Sequence, residues 1–182
     1  MKKILIISII TLALVVIGCS LDEETPTSPE PGPQPLNKLC INEFMSHNNN
    51  VDIPEAPGDF PDWIELYNGT DTAIDIGGMY ITDDLSELDQ SMIGDDDPAL
   101  TTIQPGGYLV LVADGEPQLG TLHLDCKLSD DEDFALVDKD GSTIIDQHNT
   151  TVIPDDQSEG RVPDGHDEWQ ILNPSTPGGP NH

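Results

Sequence analysis

The chain has 182 residues, with 35 acidic residues against six basic ones and a net charge of −29. A field of that sign repels phosphate backbones, so nucleic acid is excluded as a partner. The length suffices for one domain that buries roughly two-thirds of its unfolded surface, a core that needs neither a metal nor a disulfide framework.

Residues 1–18 read as a processing signal rather than as part of a fold. Lys2 and Lys3 precede an apolar run from Ile4 to Ile17, broken only by Ser8 and Thr11 and too short to span a bilayer comfortably as a mature helix. The run Val16-Ile17-Gly18-Cys19 resembles a bacterial lipobox. That resemblance implies cleavage before Cys19, lipid attachment at Cys19 and an extracytoplasmic place in the bacterial cell envelope, on the outer membrane or cell surface. Two or more acyl chains on one residue hold a protein stably to a membrane. Residues 19–37 then form a tether, because Pro26, Pro29, Pro31, Pro33 and Pro35 stand among polar residues with no apolar periodicity. Chain of this composition extends by about 3 Å per residue and holds a domain about 50 Å from the lipid.

Residues 38–182 carry short alternating or apolar runs bounded by Gly, Pro, Asn and Asp, the pattern of many short strands. Strands are expected at Leu39–Met45, Asp62–Asn68, Ile74–Ile76, Met79–Thr82, Tyr108–Ala113, His123–Leu128, Asp133–Val137 and Ser142–Gln147. In Asp62-Trp63-Ile64-Glu65-Leu66-Tyr67-Asn68 the period of 2 puts Ile64 and Leu66 on one face and Trp63, Glu65 and Tyr67 on the other. This strand therefore lies between a core and a partly covered outer surface. Tyr108-Leu109-Val110-Leu111-Val112 lacks alternation and is expected to be buried on both faces. Asp138-Lys139-Asp140-Gly141 and Gln104-Pro105-Gly106-Gly107 read as turns. The segment after Asp164 has little strand signal, although Trp169 and Ile171 are placed to pack back. With no long amphipathic helix and no repeat, the pattern argues for one all-β sandwich.

Several short motifs follow one another in a recognisable order. Ile41-Asn42-Glu43-Phe44-Met45-Ser46-His47-Asn48 precedes the Asp62 to Asn68 strand. Gly77-Gly78-Met79-Tyr80, Pro105-Gly106-Gly107-Tyr108, Ser158-Glu159-Gly160-Arg161 and Thr176-Pro177-Gly178 with Asn181 come after it. In this order the chain resembles the lamin tail domain family in its bacterial, secreted form. The resemblance implies an immunoglobulin-like β-sandwich used as a binding or attachment module, with no catalytic residues to carry over. Its motif residues here are Asn42, Glu43, Asn48, Asp62, Trp63, Glu65, Asn68, Gly160 and Arg161. Met79 and Cys126 stand where the family usually has aromatics, Glu159 stands where Tyr is common, and Gln90 to Thr102 matches poorly. An exported chain folds where thiols tend to pair, and Cys126 replaces the family's usual Phe. A disulfide between Cys40 and Cys126 is therefore expected.

The sequence contains no Gly-x-Ser-x-Gly elbow, His-Glu-x-x-His pair, Walker loop or Cys-x-x-Cys. No catalytic, cofactor or metal residue is assigned from it. His47, His123, His148, His166 and His182 read as surface or hydrogen-bonded side chains, and Arg161, the only arginine, reads as part of an internal ion pair. The acidic loops, such as Asp95 to Asp97 and Asp130 to Asp133, read as a solvated surface with no cofactor, a weak Ca²⁺ site being the alternative. The expected role is a non-catalytic, lipid-anchored envelope module that binds a protein or a glycan. Two alternatives stand beside it: an accessory subunit docking a secreted enzyme, and a hydrolase with a carboxylate pair in a cleft.

Overall fold

The computed structural model describes residues 34–182. The expected signal peptide, Cys19 and most of the tether lie outside the described residues. In chain order the strands are β1 (Leu39–Met45), β2 (Trp63–Asn68), β3 (Ile74–Asp75), β4 (Tyr80–Thr82), β5 (Ser91–Met92) and β6 (Thr102–Ile103). They continue with β7 (Tyr108–Val112), β8 (Asp133–Val137), β9 (Ile144–Asn149), β10 (Ser158–Arg161) and β11 (Trp169–Leu172). One antiparallel sheet has the order β11-β10-β1-β2-β7 and a second the order β5-β4-β8-β9, while β3 and β6 make a two-stranded ribbon.

The two larger sheets enclose the main core. Phe44, Ile64, Leu66 and Leu111 point in from the first, and Ile81, Phe134 and Leu136 from the second. The ring of Phe44 meets that of Phe134 edge-on, with centroids 5.0 Å apart. On its other face the five-stranded sheet carries a second apolar cluster, in which Met45, Trp63, Val110 and Val112 are covered by Ile53 and Ala56 of the loop between β1 and β2. The alternation in β2 and the continuous run in β7 therefore both report burial on two faces. In β1 the pairing shifts between Ile41 and Glu43: Ile41 lies opposite Leu66 and Glu43 opposite Glu65, so Asn42 is an extra residue. Such a bulge lets the inward series Leu39, Ile41 change step to Phe44, and it leaves Asn42 and Glu43 together on the outer face.

Several expectations are corrected. His123–Leu128 is not a strand: only isolated bridges join it to its neighbours, Val112 with His123 and Asp114 with Lys127. Its alternation is real, with Leu124, Cys126 and Leu128 buried and Asp125 and Lys127 exposed, but its backbone turns to side chains, as where Asp125 N donates to Ser91 Oγ. The poorly matching stretch folds as β5, a helical turn α1 (Pro98–Thr101) started by Asp97, and β6. Contacts of the domain begin before residue 38, since Leu36 N donates to Gly165 O at 2.7 Å and Pro35 bridges to His166.

Cys40 and Cys126 are both free thiols and both buried, which overturns the expected disulfide. Cys126 lies in the core between the sheets, whereas Cys40, flanked by the inward-facing Leu39 and Ile41, points to the outer face of β1. The five-stranded sheet separates them, so no side-chain rotation brings the sulfurs together. Burial pushes each thiol up to about 12.

Candidate functional site

The expected motif residues do converge, but inside the fold. Glu43 and Glu65 face each other across β1 and β2, both fully buried. Residues 162–182, the closing segment, run over them. Asn42 Nδ2 donates to Glu65 Oε1 and to Asp164 Oδ1, each at 2.9 Å, and Asn42 Oδ1 accepts from Gly165 N. Glu65 Oε2 accepts from Gly178 N at 2.7 Å. Glu43 Oε1 accepts from Ser158 Oγ and from Thr176 N.

Thr176 makes the remaining contact. Thr176 Oγ1 lies 2.9 Å from both Glu43 Oε2 and Asn181 Oδ1. Asn181 Nδ2 spends its two hydrogens on the carbonyls of Asn42 and Arg161, so its Oδ1 accepts from Thr176. A hydroxyl has one hydrogen. That hydrogen is shared between Asn181 Oδ1 and Glu43 Oε2, with Thr176 the donor to both. Burial pushes Glu43 above the usual carboxylate range, and burial, with the neighbouring Glu43 adding to it, pushes Glu65 up to about 8. Two like charges directly opposite in a sheet destabilise it, and protonation removes that conflict.

Other motif residues hold loops and edges. Asn48 Nδ2 donates to the carbonyls of Val51 and Pro61, and Asp62 Oδ1 accepts from Asn48 N. Burial pushes Asp62 up to about 6. Asn68 Nδ2 ties the carbonyls of Thr72 and Ile103. Arg161 forms the expected internal ion pair, 3.0 Å from Asp146, while donating to Ile41 O and His166 O and lying over the Trp169 ring. Trp169 in turn stacks on His148. A Cβ at Gly160 would meet Asn181 Nδ2 at 2.6 Å, so glycine is what lets the closing segment approach. The close carboxyl pair of a hydrolase thus exists in Glu43 and Glu65. Neither residue lines the clefts described next, and no solvent reaches either.

A groove lies elsewhere on the surface of the described residues. Three clefts adjoin and share His123, whose Nδ1 is 2.8 Å from Asp114 Oδ2. Their volumes are about 390, 280 and 430 Å³. Each has one exposed apolar side chain on its wall: Met92 in the first, Leu100 in the second and Leu119 in the third. Acidic side chains accompany them, with Asp96 in the first, Glu55 in the second, and Asp59, Asp114 and Glu116 beside Lys127 in the third. Sequence reasoning passed over this region because its apolar residues sit singly on elements of two to four residues, where no periodicity develops. The available signal was isolated Met and Leu among Asp, Gly and Pro.

Among the described residues no three His, Cys, Asp or Glu side chains are grouped to hold a metal ion. No curated protein and no solved structure matches the chain. The family model described as Lamin Tail Domain matches residues 33–152. That span takes in β1 to β9 and the groove but stops before β10 and the closing segment, which carries β11. With facing antiparallel sheets, an order of motifs that the strands reproduce, and a match over most of its length, this chain belongs to the lamin tail domain family of immunoglobulin-like, non-catalytic domains.

Proposed function

We propose that the protein is a non-catalytic binding and attachment module held at the bacterial cell envelope by lipid on Cys19. The observation that carries the binding part is the internal use of the family motif. Asn42, Glu43, Glu65, Asn68 and Arg161 spend their polar groups on closing the fold, so partners are left the loop surface and its acidic groove. The anchoring part rests on the basic start, apolar run and lipobox-like Val16-Ile17-Gly18-Cys19 of the sequence, followed by a proline-rich spacer. The favoured partner is a protein. All eight aromatic side chains are buried or half-buried, which leaves no open aromatic face on which a sugar ring would stack.

Phase partitioning tests the anchor. The wild-type chain is expected in the detergent-rich phase and Cys19→Ser in the aqueous phase. Equal partitioning of the two would sink the lipid assignment. Chemical cross-linking on intact cells, with the tagged full chain as bait, tests the binding part. A reproducible partner that is lost when the protein is unfolded beforehand is the expected result.

A further inference from the structure

The groove around His123 narrows the partner's chemistry, and this inference rests on the binding-module reading. Met92, Leu100 and Leu119 are exposed by 48%, 49% and 59%. They come from three separate elements, β5, α1 and the turn Pro117–Leu119. The fold nevertheless sets each beside a cleft that touches the same histidine. Apolar side chains exposed in a contiguous, polar-rimmed group mark an interaction surface, whereas single ones do not.

The walls state the charge of the occupant. Five carboxylates line the three clefts against the one ammonium of Lys127. Three of these carboxylates, Asp59, Asp96 and Glu116, are exposed to solvent. A guanidinium or ammonium entering the first or third cleft supplies them a donor and a countercharge together. Complementary charge also speeds encounter with a cationic partner.

We propose that this groove binds a segment of another protein in which Arg or Lys residues alternate with large apolar ones. The apolar side chains rest on Met92, Leu100 and Leu119, and a cationic side chain bonds to Asp59 or Glu116. Neither a purely basic nor a purely apolar segment satisfies both parts of the wall.

Fluorescence anisotropy with three synthetic peptides tests this against the purified full chain, with a detergent-only control. One peptide alternates Arg with Leu, the second has Glu in place of every Arg, and the third has Gly in place of every Leu. At about 0.15 M salt, where long-range surface attraction is screened, the first is expected to bind and the others to bind at least roughly tenfold more weakly. Leu100→Asp, Leu119→Asp and Glu116→Gln are each expected to weaken it by a similar factor. Ile171→Asp, an exposed site on β11, leaves it unchanged. The Leu variants replace exposed side chains, and a melting curve matching the wild type certifies that they fold. Equal binding of the three peptides, or binding indifferent to the groove variants, overturns the proposal. So does displacement of the peptide by a cell-wall polysaccharide, which would make the groove a glycan site. None of these outcomes depends on the lipid, so the anchored-module reading stands or falls separately by partitioning and cross-linking.

Discussion

Glu65 sits opposite Glu43 with no solvent on either carboxyl, and the direction of its shift fixes how stability responds to pH. Its folded value, about 8, is above the ordinary 4.5. The folded state therefore holds a proton that the unfolded state releases. The contribution is fully present below about 4.5 and is lost as pH rises toward 8. Asp62, pushed up to about 6 by burial, acts in the same sense over a lower window. Asp140 acts in the opposite sense: hydrogen bonds from Thr143 and Ser142 hold it down to about 2, so its contribution is lost only in strong acid. The melting temperature is expected to fall between about pH 5 and about pH 8.5, and Glu65→Gln to flatten that fall. The neutral amide keeps the bond from Gly178 and removes the ionisation. A wild-type melting curve independent of pH across this range would contradict the assignment of the proton.

At the scale of strands, the thiols give the sharpest check, because they report which side of a sheet each residue faces. Cys40 and Cys126 are expected to resist an alkylating reagent in the native protein and to take it up, without reductant, once the chain is unfolded. A peptide map showing them joined would overturn the placement of the five-stranded sheet between them. Strand existence was legible where a run of five or more residues kept one pattern: Leu39–Met45 appears with the bounds its sequence implied, and Trp63–Asn68, Tyr108–Val112 and Asp133–Val137 within a residue or so. Legibility failed for a different reason in each remaining place. Asp140 captures Ser142 N and Thr143 N in the turn, so β9 starts later than its apolar run suggests. His123–Leu128 alternates because it packs on the core, yet it pairs with the edge strand β7 only at Val112, through Leu122 O and Leu124 N. β10 and β11 carry Gly160 and Gln170, and their strand state comes from pairing with β1, not from their own propensity. The motif residues were legible as a set, but their shared role under the closing segment was not, since it depends on partners more than a hundred residues away.

Across the whole molecule, the fold leaves its charge unbalanced. Three of the few cations serve internal ties: Lys38 and Arg161 both reach Asp146, and Lys139 reaches Asp75. The acidic loops therefore repel one another through solvent. Raising monovalent salt from about 0.01 M to about 1 M shortens the screening length from about 30 Å to about 3 Å and is expected to raise the melting temperature. Calcium and magnesium at equal ionic strength are expected to match each other. A shift that saturates with micromolar calcium alone would reveal a built site in the acidic loops. The same molecule closes its first strand with its last residues, since Asn181 donates to the carbonyl of Asn42 and Ser158 and Thr176 cap Glu43. A nascent chain emerging from the ribosome thus has β1 and β2 to pair but two buried carboxyls still open to water, with nothing to hold their protons. The native topology has high contact order, and such folds form slowly. The cap over Glu43 therefore cannot form before residues 158 to 181 have been made.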